Sequence, residues 1–152
     1  MYSQDVVGLE DEGGRGFRCA RRAAFFSCLG NGMRWRIFGT APCCEPLRCF
    51  EEELAGRGLE REDRGFETVE VRRIVGNEGR SGAFDAWFFP ACSCNADRWR
   101  SVYGALLGGK TLPLVELYKL GGAYFVVDGN HRVSVARWRG MAAVDAVVTE
   151  FV

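Results

Sequence analysis

Residues 124–136 read YFVVDGNHRVSVA, an apolar strand that runs through Asp-Gly directly into a helical pattern. Gly129 permits a sharp turn and lets a ligand approach the main chain closely. The first N–H groups of a helix have no internal partner, and the helix dipole makes that end attractive to anions. Arg132, in the first helical turn, adds a guanidinium fork that suits phosphate oxygens. The stretch therefore predicts an anion site at the start of the helix.

Each residue of this turn also has a simpler interpretation. Asp128 and Gly129 are typical of a tight turn in which Asp128 caps the helix. His131 is the only histidine of the chain and a candidate catalytic residue, but a single histidine is more often structural. Arg132 alone is typical of a solvated charge. The combination in one turn favours the anion site, because no distant residue is needed to build it.

The segments around the turn predict a compact α+β unit, in which helices pack on a small mixed sheet. Apolar residues recur at helical spacing before Gly108, and alternating segments flank Gly121-Gly122 as a hairpin. Asn95 or Asp97 can cap the first helix. The predicted elements are a strand at Thr68–Val75, a helix at Trp99–Leu107, hairpin strands at Leu114–Lys119 and Ala123–Val127, a helix at Arg132–Arg139 and a strand at Val144–Phe151.

The first part of the chain predicts a helical N-terminal extension. We expect a disordered lead-in at Met1–Gly16, a helix at Phe17–Leu29, a second helix from Pro46 to Gly56 and a linker at Gly56–Gly65. Phe17 needs burial, which favours docking of the first helix on the rest of the protein. We divide the chain into a partly disordered, arginine-rich extension at residues 1–66 and an α+β domain at residues 67–152.

Charge is balanced over the whole chain but uneven along it. The formal net charge is zero, which argues against a surface that is basic throughout. Arg15–Arg48 nevertheless holds seven arginines and one acid, whereas Glu51–Glu70 holds eight acids and three arginines. The two segments can pair with each other, or the Arg15–Arg48 segment can contact nucleic acid through phosphates and an aromatic platform. Pairing is the simpler interpretation.

Seven cysteines, an odd number, and an acidic start without a signal-peptide pattern predict a reduced, cytoplasmic protein. No apolar run approaches the ~20 residues of a membrane-spanning helix, so we expect no membrane association. Cys43-Cys44 with Cys49, and Cys92 with Cys94, have poor spacing for zinc. We therefore expect no structural metal.

A series of motifs runs in order through residues 69–152. It comprises Val71-Arg72-Arg73-Ile74, Arg80, Phe84-Asp85, the helix at Trp99–Leu107, Gly109-Lys110-Thr111-Leu112-Pro113-Leu114 and Tyr124-Phe125-Val126-Val127-Asp128-Gly129-Asn130-His131-Arg132. In order and spacing this series resembles the N-terminal domain of ParB-type partition proteins, which shares its fold with sulfiredoxin. The resemblance implies a ParB/sulfiredoxin-like fold and a bound nucleotide, CTP or ATP, with or without Mg²⁺.

The departures from the family pattern bear on function. Sulfiredoxin-like enzymes carry Gly-Cys-His-Arg, and Asn130 stands here in place of the reactive cysteine, so we expect no sulfiredoxin chemistry. ParB proteins carry Gly-Glu-Arg-Arg, of which Asn130 and His131 change two positions, so phosphate binding is expected rather than CTP hydrolysis. The sequence ends at Val152, without the helix-turn-helix domain that follows in ParB, so we expect no ParB-type DNA reading.

Carried over by position, the resemblance assigns nucleotide or phosphate contacts to several residues. Lys110 and Thr111 are expected near the base or sugar, and Glu78 is a candidate general base beside Arg80. The predicted nucleotide- or phosphate-binding residues are Arg80, Lys110, Thr111, Asp128, Gly129, Asn130, His131 and Arg132.

Three functions follow as hypotheses. The first is a nucleotide-binding regulatory module that controls dimerisation or binding of a protein partner. The second is a small-molecule kinase or phosphotransferase that uses the same pocket, with Glu78 or His131 as the catalytic residue. The third is an accessory protein that binds nucleic acid through Arg15–Arg48. We rank the regulatory module first, because the sequence offers neither a convincing base nor a carboxylate cluster for Mg²⁺.

Overall fold

A computed structural model of the chain describes residues 12–22, 46–79, 81–91 and 94–152. In these ranges six strands form one mixed sheet, and four α-helices accompany it, so the predicted α+β class is confirmed. The elements are α1 (helical over residues 12–22), β1 (Arg48–Cys49), α2 (Phe50–Leu54), β2 (Arg61–Glu70), a 3-10 turn (Val71–Arg73), β3 (Ile74–Asn77), α3 (Ala96–Leu107), β4 (Val115–Leu120), β5 (Ala123–Asp128), α4 (Asn130–Trp138) and β6 (Ala143–Phe151).

The sheet has the strand order β1-β3-β5-β4-β6-β2. β1, β3 and β5 are parallel to one another, and the hairpin strand β4 is antiparallel to β5. β6 runs parallel to β4, and β2 pairs antiparallel with β6 at the edge of the sheet. Because β3 and β5 are parallel neighbours, their carboxyl ends lie side by side. The turn that begins at Asp128 and the loop that follows Asn77 therefore share one edge of the sheet.

The elements with a clear apolar period are confirmed. The hairpin, α4 and β6 lie within one or two residues of their predicted bounds. Asn95 is the N-cap of α3, and its side chain accepts a hydrogen bond from the Arg98 N–H at 3.0 Å. Gly121-Gly122 forms the turn between β4 and β5.

Two predictions about residues 56–75 are wrong. The single strand predicted at Thr68–Val75 is two strands, because the 3-10 turn at Val71–Arg73 separates β2 from β3. The linker predicted at Gly56–Gly65 is strand from Arg61 onward, so the predicted division between residues 66 and 67 falls inside β2. Residues 61–67 of β2 gave no strand signal because an edge strand has little to bury: Val69 is the only buried residue of β2, and Phe66 is 63% exposed.

The start of the chain differs from the prediction as well. Residues 12–16 are helical, so the predicted disordered lead-in is wrong there, and the predicted helix at Phe17–Leu29 is seen as far as residue 22. Residues 1–11 and 23–29 lie outside the described ranges. Gly16 lets α1 approach α3, since a Cβ atom at this glycine would lie 3.1 Å from the Tyr103 ring. The helix predicted from Pro46 is limited to Phe50–Leu54.

The core lies between the sheet and the helices α1, α3 and α4. Phe17 of α1 packs edge-on against Trp99 of α3, with the ring centroids 5.5 Å apart, which confirms the predicted docking for this part of the segment. The Trp99 indole N–H donates to the Ser134 hydroxyl at 2.9 Å and joins α3 to α4 in the buried core. On the opposite sheet face, Phe50 of α2 packs against Phe125 and Phe151.

Candidate anion site

The start of α4 is built by Gly129, which has φ 106° and ψ 26°, a left-handed conformation that favours glycine. The Val133 N–H donates to the Gly129 carbonyl at 3.0 Å, so the N–H groups of the three residues between them have no partner inside the helix. Gly129 is the N-cap, and no side chain caps the helix. The predicted cap by Asp128 is therefore wrong, because this carboxylate pairs with Arg132 instead.

The start of α3 lies beside the start of α4. The His131 imidazole forms a hydrogen bond with the main chain of Asn95, the N-cap of α3. One turn further along both helices, Trp99 is bonded to Ser134. The two helices therefore run side by side with their N-termini at the same end. Each helix end carries about half a positive charge, so the electrostatic preference for an anion is stronger here than at either end alone.

His131 lies partly buried between the two helix starts. Its ring packs edge-on against Phe84, with the ring centroids 5.2 Å apart. Burial lowers the pKa of His131 below its usual value, nearby Arg98 lowers it further, and the hydrogen bond with Asn95 opposes them. Its surroundings therefore favour the neutral imidazole over the imidazolium. Its Nε2 atom is buried and has no hydrogen-bond partner among the described residues.

Two asparagines near this turn are also unpaired at their amide oxygens. Asn77, the last residue of β3, is 4% exposed and stands in register with Val126 of β5. Val126 belongs to the core that α3 and α4 cover, so Asn77 lies on the same sheet face as α4. The Oδ1 atoms of Asn77 and Asn130 are buried, and the described part of the chain supplies neither with a donor.

Arg132 occupies a different place from the one expected of a phosphate ligand. Its Nη1 donates to the carbonyl oxygens of Pro113, at 2.8 Å, and Leu114, and its Nη2 pairs with Asp128. The guanidinium also packs on Gly129, where a Cβ atom would lie 3.1 Å from it. The Arg132 side chain is only 13% exposed. It joins the start of β4 to the end of β5.

A cleft of about 270 Å³ adjoins Arg132, away from His131. Lys110, Thr111 and Arg132 line it together, so the structure brings these three predicted residues to one place. Asn130 and His131 do not line the cleft. Its walls are mostly apolar and include Leu106, Leu112, Val135, Ala136, Met141 and Val144.

The loop after β3 holds the other two predicted residues. Glu78 is half-buried, and its main chain is tied on both sides: its carbonyl accepts from the Glu51 N–H at 3.2 Å, and its N–H donates to the Val126 carbonyl at 2.9 Å. Arg80 lies outside the described residues. The loop thus starts beside the anion site, at the carboxyl end of β3.

Within the described ranges, no three His, Cys, Asp or Glu side chains lie close enough together to hold a metal ion. Cys49 and Cys94 are buried free thiols, and burial raises the pKa of Cys94 to about 11. Cys43, Cys44 and Cys92 lie outside these ranges. The helices that the structure describes include none of the length and apolarity required to cross a membrane.

Sequence reasoning missed Asn77 and the partners of Arg132. The one available signal for Asn77 was its place directly after Ile74-Val75-Gly76, where an amide is unusual at the end of a buried strand. No signal marked the partners of Arg132, because two of the three are main-chain oxygens.

No family model, no curated protein and no solved structure matches this chain.

Proposed function

We propose that the protein is a nucleotide- or phosphate-binding regulatory module of the ParB-like type, which receives its anion at the start of α4. The observation that carries the proposal is the meeting of two helix N-termini at the carboxyl ends of the parallel strands β3 and β5. Ligands of open α/β sheets bind at such strand ends. The unpaired N–H groups that follow Gly129 supply main-chain donors for phosphate oxygens.

The charges around the turn support an anionic ligand. The two helix dipoles and Arg98 all place positive potential near His131. The acids in the adjoining turns are both paired: Asp97 of α3 with Arg100 at 3.2 Å, and Asp128 with Arg132. The resemblance to ParB-type domains gives CTP or ATP as the first ligands to test, with or without Mg²⁺.

Binding is favoured over catalysis by the setting of His131. A general base must reach the proton that it removes and accept it readily near neutral pH. The imidazole is held by the main chain of Asn95, and burial and Arg98 lower its pKa. These features suit a fixed hydrogen-bonding group better than a proton carrier.

The test is thermal unfolding with CTP, ATP, GTP and ADP, each with and without Mg²⁺. A ligand at a hundred times its dissociation constant stabilises the folded state by about 2.7 kcal/mol, which raises the melting temperature by several degrees. We expect such a shift for at least one nucleotide. Asn130→Asp should abolish it, because this near-isosteric change puts a negative charge at the first residue of α4.

Ser101→Asp is the matched control. It adds the same charge at an exposed position of α3, more than one turn from the N-terminus, and should keep the nucleotide shift. Equal shifts in Asn130→Asp and in the wild type would contradict binding at α4. No shift with any nucleotide, pyrophosphate or phosphate would contradict the proposed function.

A further inference from the structure

We infer that the anion site selects a phosphate ester whose organic part carries hydroxyl groups, and that Asn77, Asn130 and His131 accept hydrogen bonds from those hydroxyls. The inference rests on the proposed function and narrows its ligand class to sugar and polyol phosphates, the ribose phosphate of a nucleotide included.

Three polar atoms near this turn are buried, and the described residues offer no donor to any of them: Oδ1 of Asn77, Oδ1 of Asn130 and Nε2 of His131. Buried polar side-chain atoms are nearly always hydrogen-bonded in folded proteins, since an unsatisfied one is costly. Three of the five such atoms in the described ranges lie at the end of β3 and in the first turn of α4, and we take these three as candidate acceptors for a ligand.

These three atoms can bind only hydrogen-bond donors. An amide oxygen only accepts hydrogen bonds. The hydrogen bond with Asn95 raises the pKa of His131, so the ring is the donor of this bond. Because Nε2 has no partner, the donor is Nδ1, which carries the proton of the neutral ring. This leaves a lone pair on Nε2. The oxygens of a doubly charged phosphate ester carry only lone pairs, so with the amides in this orientation the donors must come from the organic part of the ligand.

The charges around His131 favour a hydroxyl over an ammonium group as the donor. The N-termini of α3 and α4 and the charge of Arg98 make the surroundings of His131 positive. A ligand ammonium group would be repelled there, whereas a hydroxyl brings a donor without a charge. Asn77 lies at the end of β3, next to the strand that leads into Gly129, so its amide and the main-chain donors for phosphate lie at the same edge of the sheet. Hydroxyls close to a phosphate are the arrangement found in a sugar phosphate.

The experiment compares methyl phosphate with ribose 5-phosphate, two phosphate monoesters of equal charge. Dissociation constants are obtained by NMR titration of the backbone amides of residues 129–133. Two hydrogen bonds of ordinary strength should make ribose 5-phosphate bind about tenfold more tightly in the wild type. In Asn77→Leu, and separately in His131→Phe, the ratio of the two constants should fall towards one.

Thr149→Val is the control, because it removes a hydroxyl from a partly buried position on the other face of the sheet. Thr149 of β6 is in register with Tyr118, which Phe50 of α2 contacts on that face. It should keep the ratio of the wild type. If both esters bind equally to the wild type, the inference is overturned while the proposed function stands. If neither ester binds, the inference is overturned, and the nucleotide melts decide the proposed function separately. A tenfold ratio that survives in both variants also overturns the inference, and His131→Phe decides if Asn77→Leu does not fold.

Discussion

His131 and Arg132 are consecutive residues of one helical turn, yet their surroundings differ in kind. On the His131 side, which comprises Phe84, Asn95 and Asn77, polar atoms are buried without partners among the described residues. On the Arg132 side, which comprises Asp128, Pro113 and Leu114, the guanidinium donates to three different oxygens. Both terminal nitrogens of Arg132 are hydrogen-bonded, whereas the described residues offer no partner to the buried Nε2 of His131.

This difference changes the interpretation of the turn. An arginine after Gly-x-x suggests a phosphate ligand, but here its hydrogen bonds hold the strand ends that position Gly129. The residues with unpaired buried atoms are those that look less suited to phosphate. We therefore assign stability to the Arg132 side and recognition to the His131 side, and the following changes test that assignment.

Arg132→Leu should have the largest effect. It removes the donors for the Pro113 and Leu114 carbonyls and leaves Asp128 without its ion pair. Hydrogen bonds to a charged group contribute ~1.5–3 kcal/mol, so we expect the free energy of unfolding to fall by about 3 kcal/mol in urea titrations. Arg139→Leu, at an exposed position just after α4, should change it by no more than about 0.5 kcal/mol. Similar losses in the two variants would show that Arg132 is not structural.

Ser134→Ala should have an intermediate effect, because it breaks the link that aligns α3 with α4. The buried Trp99 N–H loses its acceptor, and an unsatisfied buried donor costs ~1–3 kcal/mol. Urea titrations should show this loss of stability. In NMR spectra, the backbone amide signals of both Asn95 and His131 should shift in the variant relative to the wild type. Ser101→Ala, an exposed change on α3, is the control. Unchanged signals at His131 would mean that this bond does not align the two helix starts.

The smallest effect is a pH dependence from the His131 side. The pKa of His131 is lowered in the folded state, so the unfolded chain binds the proton more readily. The stability from the neutral ring is fully present above about pH 6.5 and is lost as pH falls towards the lowered pKa. Burial raises the pKa of Asp85, so the effect of Asp85 on stability has the opposite sign. The stability that its protonated carboxyl contributes is lost as pH rises above the ordinary pKa of an aspartate. The melting temperatures of the wild type and of His131→Phe are measured at a series of pH values below about 6.5. The variant should lose the pH dependence that comes from His131 and keep the one that comes from Asp85. The same pH dependence in both proteins would refute the assignment.

The sequence predicted the parts of the fold in which side chains repeat with a clear period. α3 shows its buried face through Trp99 and Tyr103, and the hairpin is marked by Gly121-Gly122. β2 could not be predicted in this way, because its place depends on backbone bonds to β6 and most of its side chains face solvent. Only the register of two distant segments determines such a strand.

Local sequence likewise reveals only part of the geometry of the candidate site. Gly129 and the helix start follow from local sequence, because strand, glycine and helix are contiguous. Two of the three partners of Arg132 lie 18 and 19 positions away along the chain, on main-chain atoms that carry no sequence signal. Asn77 joins the site only because β3 pairs with β5, which no local pattern reveals.

The pairing of β2 with β6 has a consequence for synthesis of the chain. Thr68 and Asp145, which are hydrogen-bonded across the two strands, lie 77 positions apart. β2 therefore leaves the ribosome well before its partner exists, and an unpaired strand of ten residues can pair with other chains. Its first four residues, Arg61-Glu62-Asp63-Arg64, are all charged, and the register is irregular between Asp63 and Gly65. Charges and bulges disfavour such aggregation, so the composition that concealed this strand also protects the nascent protein.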